Sequence, residues 1–168
     1  MEDMFIGFGS NMGEPEAMLR EAAYRLVCLE RVRLVALSSM YRSEPVGPQE
    51  QPWFINGVAW VRSELDPRKV LEILQGIETR MGRVRSVPMG PRLIDLDLLL
   101  VGERVIQEDG LQVPHPRMHS RRFVLEPMAE ISPLARHPLL GRTIKELLSE
   151  LRDTKAVERV GPWEVLGC

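Results

Sequence analysis

The sequence predicts an α+β fold with a ferredoxin-like βαββαβ core, a mainly antiparallel sheet and additional C-terminal helices. Three observations predict it. Apolar residues follow strand and helix spacing in the order strand, helix, strand, strand, helix, strand. The segments are closed by turn residues and helix punctuation rather than by linkers or repeats. The chain has 168 residues, 44% hydrophobic and 27% charged, which is enough for one self-contained core and typical of an ordinary globular protein. The whole span 1–168 therefore reads as one domain, with helices packed on one face of the sheet as the simplest arrangement.

Taken in order, residues 4–8, MFIGF, form a short apolar run that ends in the turn-rich GSNMGEP. Met18, Leu19, Ala22, Ala23, Leu26 and Val27 then recur at helical spacing within residues 14–29. VRLVALSSMYRS (32–43) and WFINGVAWVRS (53–63) are rich in strand formers. The loop between them, EPVGPQEQP, holds three prolines and is too long for a tight hairpin. Asp66 followed by Pro67 is an N-cap with proline at the first helical position, and Val70, Leu71, Ile73, Leu74 and Ile77 carry that helix to Met81, where Gly82 ends it. RLIDLDLLLVG (92–102) is the next strand, and RVIQEDGLQVP is a small hairpin with Asp109-Gly110 at its turn. Helices over 120–130 and 143–151 follow, then a terminal strand or coil containing Trp163.

A formal charge of −2 gives no overall bias toward nucleic acid or an anionic membrane. No run approaches the roughly 18 apolar residues of a membrane span, and the N-terminus has no basic leader. Cys28 and Cys168, the two cysteines, make neither a disulfide framework nor a metal clip. The expectation is a cytoplasmic protein in a reducing compartment.

The chemistry concentrates in GPRLIDLDLLL. Strand alternation places Ile94, Leu96, Leu98 and Leu100 on one face and Asp95 and Asp97 on the other, with the carboxylates about 6 to 7 Å apart along the strand. Two anions this close repel unless water, protons or cations compensate them; the pair is either a solvent-facing strand surface or a set of hard oxygens that suits Mg²⁺ completed by substrate phosphates and water. Between Glu78 and Asp95 lie Arg80, Arg83, Arg85 and Arg92 and no acid. Such a loop supplies guanidinium forks for a metal-bound polyphosphate. The GFGSNMG stretch fails the dinucleotide and P-loop spacings, so Gly7, Gly9 and Gly13 read as structural. Phe54 and Asn56 share a parity and offer a stacking ring beside a hydrogen-bonding amide. His115 and His119 imitate zinc spacing, but Pro116 argues against one continuous helix and no cysteine or third histidine lies nearby; a phosphate or loop contact suits His115 better.

GFGSNMGEPEAMLREA, SSMYRSEPVGPQEQPWFINGV, GRVRSVPMGPRLIDLDLLLVG and VPHPRMHSRRFVLEPMAEISP, in this order and spacing, resemble the 6-hydroxymethyl-7,8-dihydropterin pyrophosphokinase family of folate biosynthesis over residues 4–133. The resemblance implies an enzyme that transfers the terminal diphosphate of ATP to the pterin hydroxymethyl oxygen and releases AMP. It implies two Mg²⁺ ions on Asp95 and Asp97, with Arg83 and Arg92 joining these acids as catalytic residues. ATP would meet Gln75, Glu78, Arg85, Arg92, His115 and Arg121. The pterin would stack between Phe54 and Phe123, read by Asn56, Asp95 and the segment Ser43, Pro45 and Val46. Asp97 or a metal-bound water would accept the hydroxyl proton. The implied partners are the small-molecule substrates alone, with no nucleic acid or membrane, and the enzyme would be a monomer.

The chain departs from the family pattern at Pro88-Met89, where a basic residue and a bulky aromatic usually precede GPR, and at Pro116. The first departure falls in the loop expected to close over the substrates. Two alternatives accompany this reading: a ferredoxin-like nucleic-acid module, which would present a positive sheet face with exposed aromatics, and a catalytically weakened pterin- or ATP-binding relative.

Overall fold

Strand β1, Glu2–Ser10, runs through the middle of the sheet because its Met4, Ile6 and Phe8 face one core and Phe5 the other. The computed structural model describes residues 1–47, 50–83, 88–165 and 167–168. Helix α1 is Pro15–Val27, followed by β2 Val32–Leu37, β3 Met40–Ser43 and β4 Phe54–Ser63. Helix α2, Pro67–Arg80, begins where Asp66 accepts the Arg68 amide at 3.0 Å, and the left-handed Gly82 (φ 89°) turns the chain out of it. Then come β5 Asp95–Val101, the hairpin of β6 Ile106–Glu108 and β7 Leu111–Val113, and a 3₁₀ turn at Met118–Ser120. Helix α3 is Arg122–Ile131, β8 Arg136–His137 pairs with β9 Arg142–Thr143, and α4 Ile144–Glu150 starts in a Thr143/Glu146 capping box. Strand β10 is Val157–Gly161.

The principal sheet has the order β10-β3-β4-β1-β5, all antiparallel, with β2 also on β4. This is the expected ferredoxin-like core, and the structure differs from the sequence reading in four details. The strand expected over 32–43 breaks at Ser38-Ser39. Ser38 keeps a backbone bond from its amide to Val58 O at 2.9 Å while its Oγ takes the Val58 amide at 2.9 Å, and Ser39 turns its amide and hydroxyl to the Glu130 carboxylate, so side-chain bonds interrupt the ladder. Helices cover both faces: α1 and α2 lie over Met4, Ile6, Leu96 and Leu98, whereas α3 and α4 bury Phe5, Val58 and Leu99.

The third difference is in β5. Phe5 faces Leu100 but Ile6 faces Leu98, so Leu99 is an extra residue and the alternation reverses past it. Leu100 therefore packs against the α3 face, not with Ile94, Leu96 and Leu98 as the uninterrupted period predicts. The fourth is that Cys28 and Cys168 form a disulfide across 140 residues, because the C-terminal segment returns to the end of α1. Spacing alone gives no sign of that return.

The same segment completes the core. Strand β10 pairs with β3, and Trp163, 5% exposed, meets Phe8 edge-on at 5.6 Å while its Nε1 donates to Ser38 O at 2.6 Å. Gly57 makes room for it, since a Cβ there would lie 3.1 Å from the indole. Trp163→Ala is expected to lower the unfolding free energy by about 3–5 kcal/mol in a urea titration. A loss under about 1 kcal/mol would mean that the terminal segment is not part of the cooperative core.

Candidate active site

Sheet register builds the floor of the site. Gly9 lies opposite Asp95 on one side and Asn56 on the other, and Gly7 lies opposite Asp97 and Val58. These residues share the face on which α3 covers Phe5, Val58, Leu99 and Leu100. Beyond the reach of α3 that face is open. The two glycines keep it low: a Cβ on Gly9 would stand 3.2 Å from Asn56 Oδ1, and one on Gly7 3.4 Å from Leu99. Their spacing predicts a structural role, and in the fold both also line the cavity.

The cavity holds about 470 Å³, within the range of small-molecule sites. Phe54, Asn56, Ser43, Val46 and Phe123 line it together with Gln75 and Glu78 of α2 and with Arg83, Arg92, Asp95, Asp97, His115 and Arg121. Pro45 does not line it, although its neighbours Glu44 and Val46 do; with no N–H, proline has only its carbonyl to offer a ligand edge. Arg85 lies outside the described residues.

At the aromatic end, Asn56 Nδ2 donates to Ser43 Oγ at 2.5 Å, with both residues buried, which leaves Oδ1 as an acceptor. At the charged end, Arg83 joins Glu78 and Asp95: Nη1 pairs with Glu78 Oε2 and lies 3.0 Å from Asp95 Oδ1. Arg92 Nη1 lies 3.6 Å from Asp95 Oδ2. Glu78 Oε2 also accepts the Leu96 amide at 2.9 Å, which fixes α2 to β5.

These contacts separate the two aspartates. Asp97 makes no ion pair within 4 Å among the described residues, and burial, then the neighbouring Asp95, push its carboxyl up to about 7. Burial also raises Glu78 despite its amide and guanidinium partners. His115 is pushed down to about 4, first by burial and then by Arg121 and Arg117. Its Nδ1 accepts the Arg117 amide at 3.2 Å, so the neutral ring carries its proton on Nε2. The His115 amide donates to the carbonyl of the bulged Leu99 at 2.9 Å, which ties this loop to β5.

Asn11 was missed by sequence reasoning. It is 3% exposed; its Oδ1 accepts the Arg92 amide at 2.8 Å, its own amide donates to Arg92 O at 3.0 Å, and Nδ2 donates to Gln51 Oε1 and Pro52 O, both at 2.9 Å. Gln51 Nε2 in turn donates to Met89 O at 2.7 Å. One amide therefore ties the Arg92 segment to the loop before Phe54. Met89 adopts φ 60°, and its side chain covers Gly47, where a Cβ would meet Sδ at 3.1 Å. Met89 of the unusual Pro88-Met89 pair thus docks on Gly47 and Gln51. Arg117 also lines the cavity and was not singled out from sequence.

Among the described residues, no group of three or more His, Cys, Asp or Glu is placed to cage a metal. Asp95 and Asp97 alone offer two hard oxygen ligands, and a cation there must draw the rest of its shell from phosphate and water. That donor set fits Mg²⁺, which is commonly held by one or two carboxylates plus substrate phosphates. No described helix is long and apolar enough to cross a membrane.

Residues 5–133 match the family model described as 7,8-dihydro-6-hydroxymethylpterin-pyrophosphokinase (HPPK). The chain is 43% identical over 149 residues to the 2-amino-4-hydroxy-6-hydroxymethyldihydropteridine pyrophosphokinase of Pseudomonas aeruginosa, covering 89% of this chain and 91% of the relative. The enzyme of the same description from Haemophilus influenzae is 41% identical, with 92% and 96% covered. Among solved structures, a Plasmodium falciparum HPPK-DHPS triple mutant with pteroate superposes with a TM-score of 0.70 at 15% identity. That match covers 89% of this chain and 43% of the Plasmodium chain, and it concerns the fold.

Proposed function

The chain belongs to the 7,8-dihydro-6-hydroxymethylpterin-pyrophosphokinase family, and we propose that its cavity is where the diphosphate changes hands. The protein is an ATP-dependent pyrophosphokinase of folate biosynthesis; it transfers diphosphate from ATP to the hydroxymethyl group of 6-hydroxymethyl-7,8-dihydropterin. The observation that carries the site assignment is the single cavity that joins the Phe54–Asn56 end to the Asp95–Asp97 face and its arginines.

In this reading the pterin lies between Phe54 and Phe123, with Asn56 Oδ1 accepting from one of its N–H groups and the Ser43–Val46 segment along its edge. Gln75, Glu78 and His115 hold the nucleotide, with His115 donating from Nε2, and Arg121 meets its phosphates. Arg85 belongs to the same set as an expectation carried by the family resemblance. Asp95 and Asp97 would hold Mg²⁺, two ions in all, and the metal when bound would supply neutralisation of phosphate charge and alignment of the diphosphate. Arg83 and Arg92 place guanidinium charge where negative charge develops as the new O–P bond forms at Pβ and the α,β-bridge bond breaks. Gln51 and Met89, joined by a hydrogen bond, would help to exclude water from that exchange.

The reading extends to a single-domain monomer over residues 1–168 working in the cytoplasm. What supports the one-domain part is that β10 and Trp163 belong to the sheet and core that contain β1. The deciding assay combines purified protein, ATP, Mg²⁺ and the reduced hydroxymethylpterin, and follows AMP and the pterin diphosphate separately. Stoichiometric formation of both is expected; ADP in place of AMP would reject the assigned transfer.

A further inference from the structure

Asp95 is engaged at both of its oxygens. Arg83 holds Oδ1 at 3.0 Å and Arg92 approaches Oδ2 at 3.6 Å, with all three side chains 23% to 26% exposed. Asp97 shares the same sheet face and has no ion pair within 4 Å among the described residues. The two carboxylates that would share a divalent cation are therefore unequal: Asp95 has guanidinium groups within ion-pair distance, whereas Arg121 and Arg83 act on Asp97 only from beyond 4 Å. A divalent cation approaching Asp95 therefore meets two guanidinium charges already at its oxygens, and like-charge repulsion opposes it unless one of them moves away.

We propose that Arg83 is a placeholder cation, which occupies Asp95 Oδ1 until a metal–nucleotide complex enters and is then exchanged onto the phosphate oxygens. This rests on the assignment of Asp95 and Asp97 to the metal made above. With the complex, each bond lost has a replacement: the metal takes Asp95, and the freed guanidinium takes a phosphate that offers the same bidentate geometry as a carboxylate. A free divalent cation offers no such exchange. It must displace Arg83 into a cavity that also holds Arg92, Arg117 and Arg121, where Glu78 is the remaining acid already in its grasp.

The consequence is selectivity. Free Mg²⁺ is kept off the site, while Mg²⁺ carried on a nucleoside triphosphate is admitted, and Arg83 reaches the phosphates only when metal and nucleotide arrive together. The Glu78–Arg83 contact gives the movement a pivot, because Glu78 is itself fixed to β5 through the Leu96 amide.

The test measures Mn²⁺ binding by electron paramagnetic resonance, using the full-length protein with and without the unreactive analogue α,β-methylene-ATP. In the wild type, Mn²⁺ alone is expected to bind weakly and to tighten with the analogue. Arg83→Gln should tighten Mn²⁺ alone by about threefold to fivefold, the upper worth of a partly exposed ion pair, and so narrow the gap between the two conditions. Arg83→Lys, which keeps the charge, should restore weak binding of Mn²⁺ alone. Arg117→Gln removes the same charge from the cavity without touching Asp95, and it should change Mn²⁺ affinity by less than about twofold.

If Arg83→Gln leaves the affinity for Mn²⁺ alone unchanged, with its circular dichroism native, the placeholder role is wrong. An effect of Arg117→Gln equal to that of Arg83→Gln would reduce the proposal to general field strength and overturn it. Failure of the wild type to bind Mn²⁺ even with the analogue, or undiminished binding by Asp95→Asn, would instead reject the metal assignment beneath it.

Discussion

Asp97→Asn is expected to lower kcat by about 10²–10³-fold, the usual cost of removing one pre-organised electrostatic group, and at the same time to raise the thermal midpoint at pH 8. The second effect distinguishes this residue from a merely structural acid. Burial and Asp95 raise its carboxyl from 3.8 to about 7 in the folded protein, so the ionised form is disfavoured by folding. Below about pH 4 the group is protonated in both states and costs nothing. As pH rises toward 7 the unfolded chain ionises first, the penalty grows, and above about 7 it is fully present. Asparagine is neutral throughout, so the variant should gain on the wild type at pH 8 and match it near pH 3.5. Thermal melts in EDTA at the two pH values, with steady-state kinetics in Mg²⁺, check both halves. A lower midpoint at pH 8, or activity near that of the wild type, would contradict the role assigned to Asp97.

The functional face of β5 was legible because period-two alternation is a local property: Asp95 and Asp97 fall on one side whatever the strand packs against. Its far end was not, because the extra residue at Leu99 arises from pairing with β1 and no residue type announces it. The same distinction separates the helices. Their spacing gave their extents, while the face each covers depends on how the connections cross the sheet, and α3 and α4 lie opposite α1 and α2. In the site, charged and aromatic residues carried chemical signals of their own. Gly7 and Gly9 act by lacking a side chain, and Asn11 acts on backbone atoms 81 residues away, so neither role could be read from its neighbours in sequence. The Cys28–Cys168 disulfide is the extreme case: its partners are brought together by β10 and Trp163, whose place in the sheet the sequence left undefined.

Arg92→Ala is expected to lower kcat by about 10²-fold or more and to leave the pterin dissociation constant within about twofold. The argument begins with the backbone. Asn11 holds both the amide and the carbonyl of Arg92, and Ser10 Oγ donates to Leu93 O at 2.6 Å, so the chain is clamped on either side of the guanidinium stem. A side chain rooted this firmly is placed before substrate arrives, and pre-organised charge stabilises a transition state without reorganisation at the moment of reaction. Truncation to alanine leaves that clamp untouched, because every one of these bonds uses main-chain atoms of residues 92 and 93. The Phe54–Asn56 end keeps its contacts too, since Gln51 and Pro52 are held by the Asn11 amide rather than by the arginine. Loss of turnover with retained pterin binding is therefore the signature of a charge acting on the transferring phosphate. Pre-steady-state quench with fluorescence titration of the pterin separates the two quantities. A defect confined to pterin affinity would make Arg92 a positioning residue for the acceptor and remove it from the reacting centre.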